Sequence, residues 1–184
     1  IISCLGKMDN VDRAITMSFK KINSKIFMIG QRKDELGGSL YYNLFGELGV
    51  NVPSPDLNEV KDQIYAITDC IDNKLIESCH DISDGGIAVA LSEMTFENNI
   101  GCSVNIPGIL SVEKLLFSET GGFIIEVEDS KTKDVNEIFN KHNINLELIG
   151  ETCKDQKLVV NNAINMEVEE MKSLWTNGLR EKIK

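Results

Sequence analysis

His80, Asp81, Ser83 and Asp84 crowd into five residues and run straight into Gly85-Gly86. An imidazole, two carboxylates and a hydroxyl beside a glycine pair can hold an anion, a hydrated cation, or both. The stretch lies between a short apolar run, Leu75-Ile76, and a longer one, Ile87 to Leu91. That pattern predicts a strand, a polar turn and then a buried helix. A helix start carries unpaired backbone N–H groups and a partial positive charge, which suits phosphate or carboxylate. Gly85 and Gly86 let a ligand approach the backbone. Asp81 and Asp84, three residues apart, have the spacing to face one magnesium ion, an oxygen-seeking cation. The plainer reading of the same residues is that Asp84 or Ser83 caps the helix. His80 likewise reads either as a phosphate, proton-transfer or metal residue, or as a strand-end histidine bonded to a loop.

Two further glycine pairs keep similar company. Gly37-Gly38 has Glu35 and Ser39 beside it, and Gly121-Gly122 follows Ser118 and Glu119. Each pair alone is an ordinary tight turn. The three together, each with a hydroxyl and a carboxylate, favour a shared polar crevice. His142 sits among polar residues and reads as solvated.

The elements that must position these residues alternate. Strands are predicted at Lys25–Gln31, Ser78–Ile82, Cys102–Ile106, Phe123–Val127, Leu146–Ile149 and Leu158–Val160. Helices are predicted near Leu40–Leu48, from Leu57 on a stripe of Val60, Ile64, Ile67, Ile71 and Leu75, at Ile87–Glu97, at Val112–Phe117 and around Val135–Phe139. Asp56 or Asn58 is placed to cap the long second helix after Pro53 and Pro55. A last helix carries Val168, Met171, Trp175, Leu179 and Ile183 on one stripe, with acids at its start and bases at its end. The class is therefore α/β or α+β, a mixed sheet covered by helices, in one domain over residues 1–184. Ile1 to Gly6 reads as the middle of a strand without a lead-in, so the chain is expected to be a piece of a longer polypeptide.

Composition narrows the partners. The 184 residues are 42% hydrophobic and 26% charged, with a net charge of −10. That charge argues against nucleic acid or an anionic membrane, but a small phosphorylated ligand can still bind backbone amides. The five cysteines are scattered, with no C-x-x-C pair, so neither a zinc site nor a disulfide framework is expected. Cys79 and His80 are neighbours in a strand and so point to opposite faces, which argues against a thiolate–imidazole pair. Reduced thiols and no long apolar run lead to the expectation of a cytoplasmic protein.

The segment from His80 to Met94 resembles the HDISDGGLAVALAEM signature of the phosphoribosylformylglycinamidine synthase family, within the AIR synthase-related superfamily. Other pieces follow in order: Phe19-Lys20 before a strand ending Ile29-Gly30, Glu35 to Ser39 like "ELGGS", Val52-Pro53 with Asp56-Leu57, Asn99 to Cys102, and Leu116 to Thr120 like "LFSES". The likeness runs from about Gly6 to Gly150. The turn variants of aminoimidazole ribonucleotide synthase, selenophosphate synthetase and hydrogenase-maturation relatives do not match Ser83 to Gly86. One departure is that many relatives carry an arginine soon after "SE", where this chain has Gly121-Gly122-Phe123.

The resemblance implies an ATP- and Mg2+-dependent ligase. It would activate the formamide oxygen of formylglycinamide ribonucleotide, so that glutamine-derived ammonia displaces phosphate. It implies a catalytic His80 and substrate or phosphate contacts from Asp81, Ser83, Asp84, Gly85, Gly86, Lys20, Gly38, Ser39 and Ser118. Metal contacts would come from Asp81, Asp84 and Glu119. Partners would be N-terminal domains of the same enzyme and a glutaminase subunit or domain, and the isolated piece would be silent. The reading from another class is a non-catalytic docking module whose turns merely cap helices.

Overall fold

In the computed structural model, residues 3–8 and 10–182 are described. Seven strands form one sheet in the order β2-β4-β1-β5-β3-β6-β7. They are β1 (Lys25–Ile29), β2 (Ser78–Asp81), β3 (Gly101–Val104), β4 (Phe123–Val127), β5 (Leu146–Cys153), β6 (Lys157–Val160) and β7 (Ile164–Glu167). All neighbours are antiparallel except β3 and β6, which makes the sheet mixed as expected. The helices are α1 (Leu40–Leu44), α2 (Leu57–Asp72), α3 (Gly86–Thr95), α4 (Val112–Phe117), α5 (Thr132–Lys141) and α6 (Val168–Lys182).

Both faces of the central strands are apolar, and helices cover both. On β1, Ile26 and Met28 face one cluster with Ile87, Leu91 and Met94 of α3 and Val168 and Met171 of α6. Phe27 and Ile29 face the other, with Ala66, Ile67 and Cys70 of α2 and Val135 and Phe139 of α5. The period-two alternation of the strand thus sorts its side chains between two cores. Each fully buried aliphatic or aromatic side chain contributes about 1.5–3 kcal/mol.

Local signals account for most element ends. Asp56 caps α2, its side chain accepting from Asn58 N at 2.9 Å and Glu59 N at 3.3 Å. The predicted α2 stripe is only partly the buried one. Leu57 and Ile64 are exposed, while Gln63, Ala66, Ile67 and Cys70 turn inward. The helix stops at Asp72, before Leu75, where Lys74 takes a positive φ of 56°. On α6, Val168 and Met171 are buried but Trp175 is largely exposed, and the side chains of Leu179 and Ile183 lie outside the described residues. Ser3 to Gly6 form no strand, and Ile1 and Ile2 lie outside the described residues. Strand β7 had no sequence signal strong enough to place it: it is a short edge strand of alternately half-buried and exposed residues.

The register aligns the ends that matter. Phe123 at the start of β4 lies opposite both Ile29, the end of β1, and Asp81, the end of β2. Leu146 at the start of β5 lies opposite Ile29 from the other side. The segments 30–39, 82–85, 118–122 and 142–145 therefore emerge along one edge of the sheet.

At the other end of β4 a buried carboxylate joins three segments. Glu126 is fully buried and accepts from Lys20 N at 2.8 Å, Lys21 N at 2.9 Å and the Ser78 hydroxyl at 2.9 Å. Its removal would orphan two amides and a hydroxyl, and orphaned donors are costly. Glu126→Leu is expected to destabilise the chain by about 3 kcal/mol or more in urea unfolding. Glu126→Gln, which keeps one acceptor, should cost less. Equal midpoints for Glu126→Leu and the parent chain would remove Glu126 from this role.

Candidate functional site

The turn after β2 is built by its glycines. Ile82 is buried and its N–H donates to Gly122 O at 2.8 Å, which pins the chain to the start of β4. Ser83 and Asp84 then stand at an exposed tip, and no hydrogen bond involving either side chain is seen among the described residues. Gly85 (φ 80°) and Gly86 (φ 68°) are consecutive left-handed residues, a conformation that side chains resist. Both are also short of space. A Cβ on Gly85 would lie 2.4 Å from Val89 Cγ2, and one on Gly86 would lie 2.6 Å from the Leu116 carbonyl oxygen of α4. The cap of α3 is thus Gly85, with no side-chain bond, and not Asp84 or Ser83 as the capping reading held. Two left-handed residues in succession carry the backbone into the helix too abruptly for those side chains to fold back onto it.

The amide of Gly85 is satisfied from far along the chain. Glu119 Oε1 accepts from Gly85 N at 2.8 Å and from Leu40 N, in the first turn of α1, at 2.9 Å. Ser39 caps α1 through its hydroxyl, 3.3 Å from Tyr42 N, and is almost fully buried. The three glycine pairs therefore do meet: one carboxylate from the 118–122 loop bonds the segments that follow Gly37-Gly38 and Asp84.

Arg32 holds that loop from beneath. It is 8% exposed, and its guanidinium donates to Ser118 O at 3.3 Å and to Gly121 O. Burial pushes its pKa down to about 10, an effect that the negative charge of Glu35 opposes, so the group stays cationic at neutral pH. Ser118 Oγ, itself buried, accepts from Glu35 N at 3.4 Å. Arg32 Nε, Glu35 Oε2 and Thr120 Oγ1 are buried with no hydrogen-bond partner among the described residues, all on these two adjoining loops. Sequence reasoning passed over Arg32. Its only signal was a cation directly after a strand end, three residues before an acid.

His80 is mostly enclosed, and both ring nitrogens lie on carboxylates: Nδ1 is 3.2 Å from Asp81 Oδ1 and Nε2 is 2.9 Å from Glu93 Oε2. The imidazole is thus tied within this chain, while Asp81 beside it is exposed. Lys20 is not brought to the turn. Its neighbour Phe19 bonds Met94 O through its amide, and its amine lies near Thr16 and Glu97. That is the far end of α3, about 15 Å along a ten-residue helix. Among the described residues, no three His, Cys, Asp or Glu side chains gather so as to hold a metal ion, so Asp81, Asp84 and Glu119 are not a complete set. Cys79 is inert by its surroundings, since burial, aided by the charge of Asp81, raises its thiol pKa to about 12.

Beside the turn lies a pocket of about 220 Å3, lined among others by Lys33, Asp56, Asp81, Thr120 and Gly122. A larger hollow of about 680 Å3 opens on the other side of Gly30 to Lys33, with Gln63, Asn143 and Asn145 in its wall. Both lie along the aligned strand ends.

The two glycine loops differ in a way that unfolding can measure. Gly121 has a positive φ of 87° but open space around it, so Gly121→Ala carries the backbone cost alone, about 1–2 kcal/mol. Gly86→Ala adds an overlap with the backbone of α4 and is expected to cost at least twice as much. Equal urea midpoints for the two variants would contradict this packing.

The site can now be set beside known proteins. Residues 21–161 match the family model described as AIR synthase related protein, C-terminal domain. Phosphoribosylformylglycinamidine synthase subunit PurL of Methanothrix thermoacetophila is 36% identical over 191 residues, covering 98% of this chain and 24% of that protein. The subunit of the same name from Picrophilus torridus is 35% identical over 181 residues, covering 97% and 23%. The chain thus spans about a quarter of the length of these curated relatives. Among solved structures, Thermotoga maritima PurL complexed with FGAR superposes with a TM-score of 0.75 at 17% identity, over 88% of this chain and 30% of that one. The same protein complexed with ATP gives 0.70 at 17%, over 88% and 28%. At that identity the likeness is one of fold. With the family model matching residues 21–161, most of its length, this chain belongs to the AIR synthase related proteins, as their C-terminal domain.

Proposed function

We propose that this chain is the C-terminal domain of a phosphoribosylformylglycinamidine synthase. The whole enzyme would use ATP to convert formylglycinamide ribonucleotide and glutamine-derived ammonia to the amidine. The observation that carries this reading is the convergence of the three glycine loops on Glu119, in a chain 36% identical to a PurL subunit over nearly all its length. The domain's part is to present phosphate-binding backbone and carboxylates to a ligand held against a neighbouring domain.

The residues fit that part in specific ways. The start of α3 lies beside Ser83 and Asp84, and the partial positive charge of a helix start would favour a phosphate there, although Gly85 N is held by Glu119 and Gly86 N by Ser83 O. Asp81 and Asp84 offer exposed carboxylate oxygens, and Mg2+ bound by one or two carboxylates completes its shell with water and phosphate oxygens. In that setting the ion would neutralise phosphate charge as it develops. Glu119 is less suited to it, because its Oε1 already accepts two amides. Gly38, Ser39 and Ser118 act here through the backbone and caps that shape the crevice. The orphaned Arg32 Nε, Glu35 Oε2 and Thr120 Oγ1 are polar atoms that a bound ligand and its waters would complete. His80, held between two carboxylates, serves this reading by keeping Asp81 in place.

A neighbouring domain is supported by the surface next to the site. Leu44, Phe45, Leu48 and Val50 are 81%, 65%, 76% and 90% exposed, on and just after α1. An apolar stretch of this kind is a docking face. It adjoins Leu40, which Glu119 bonds, so the remainder of the synthase would close over the crevice there. A glutaminase subunit as ammonia source belongs to the same proposal, as does a cytoplasmic setting. No helix among the described residues is long and apolar enough to cross a membrane.

Calorimetry on the full-length protein tests the reading. Asp84→Asn is expected to weaken Mg-ATP binding about tenfold, the worth of one charge-assisted contact. Affinity equal to the parent protein would overturn the nucleotide assignment and favour the docking module. The 184-residue chain by itself is expected to give no amidine from ATP, formylglycinamide ribonucleotide and ammonia. Turnover by that chain would show that the site is complete without its neighbours.

A further inference from the structure

Glu93, so far only a partner of His80, has both of its oxygens engaged. Oε2 is 2.9 Å from His80 Nε2, and Oε1 accepts from Trp175 Nε1 of α6 at 3.0 Å. On its other side His80 reaches Asp81, a residue that lines the 220 Å3 pocket. Trp175 also leans on Phe96, just beyond α3, with ring centroids 5.9 Å apart. A continuous series, Asp81–His80–Glu93–Trp175, thus runs from the ligand face of the turn to the exposed side of α6.

We infer that Glu93 is a positioning residue for the turn, and that Trp175 couples α6 to it. A carboxylate at Nε2 fixes the plane of the ring, as second partners of histidines generally do. The ring in turn limits where the Asp81 carboxylate can point. Glu93 is itself restrained from two directions, so it has little freedom to release His80 while α6 is docked. Loosening α6 frees Glu93, then His80, then Asp81. The functional half of this inference rests on the nucleotide reading proposed above; the coupling does not.

Two measurements separate them. In the ligand-free 184-residue chain, Trp175→Phe keeps a ring against Phe96 and removes only the indole donor. It is expected to shift the backbone amide resonances of Asp81 to Gly86, residues with which Trp175 makes no hydrogen bond or ring contact, while those of α5 stay in place. Unmoved turn resonances would overturn the coupling. In the full-length protein, Glu93→Gln is expected to weaken Mg-ATP binding about tenfold with the melting temperature nearly unchanged, and Trp175→Phe to weaken it less. If Asp84→Asn weakens binding and Glu93→Gln does not, the positioning role is overturned while the nucleotide reading stands. If Asp84→Asn has no effect, the nucleotide reading and the positioning role fall together, and the amide shifts still decide the coupling. Trp175 is the sole tryptophan of the 184 residues, so in Glu93→Gln made in this chain its emission reports independently whether residue 93 still holds it.

Discussion

A single carboxylate oxygen holds the candidate site together. Glu119 Oε1 accepts from the amides of Gly85 and Leu40, which lie 34 residues before it and 79 residues before it. Each amide opens a helix, so each carries the partial positive charge that the carboxylate neutralises. Without Glu119 the turn of α3 and the start of α1 would have no common partner, and the crevice between them would have no defined width. The arrangement works because the loop bearing Glu119 is itself immobilised: Arg32 donates to carbonyls on either side of it, at Ser118 and Gly121. A buried guanidinium is expensive to desolvate, and spreading its donors over carbonyls while Glu35 stands nearby is what makes it tolerable.

The sheet supplies the precision that these loops lack on their own. Because Phe123 lies opposite both Ile29 and Asp81, a one-residue slip in either pairing would turn the apolar side chains of β4 to the wrong cores and misalign the loops. Two apolar faces covered by helices oppose such a slip. The glycines complete the fit: a Cβ on Gly122 would lie 2.3 Å from Ile29 O, so the strand ends approach as closely as backbone allows. Chemistry-bearing residues are thus carried on loops that a rigid scaffold aims.

The fold was legible because its signals are local. Short apolar runs marked β1 and β4, an all-apolar run marked α3, and Asp56 announced α2. The sequence failed where burial, and not periodicity, chose the face. Helix α2 buries Gln63 and leaves Ile64 exposed, since packing against the sheet and α5 selects that side. Within the site, the glycine turn and its neighbours were recognisable from residue types and from family likeness. The expected cap by Ser83 or Asp84 gave way to a backbone cap, and Lys20, placed in the site by its motif, lies at the other end of α3. Arg32, Glu93 and Glu126 were not legible as site or scaffold residues, because a charged residue shows its role only through partners far along the chain.

The sequence by itself determined the class of the fold, the two left-handed glycines that a tight strand-to-helix turn requires, and the family. Those properties depend on the residue and its near neighbours, where sterics and periodicity act. The tertiary structure alone decided which carboxylate meets which amide: Glu119 with Gly85 and Leu40, Glu93 with His80 and Trp175, Glu126 with Lys20, Lys21 and Ser78. A hydrogen bond across such separations forms only when sheet register and helix packing have already brought its ends within about 3 Å, and spacing along the chain does not encode that distance.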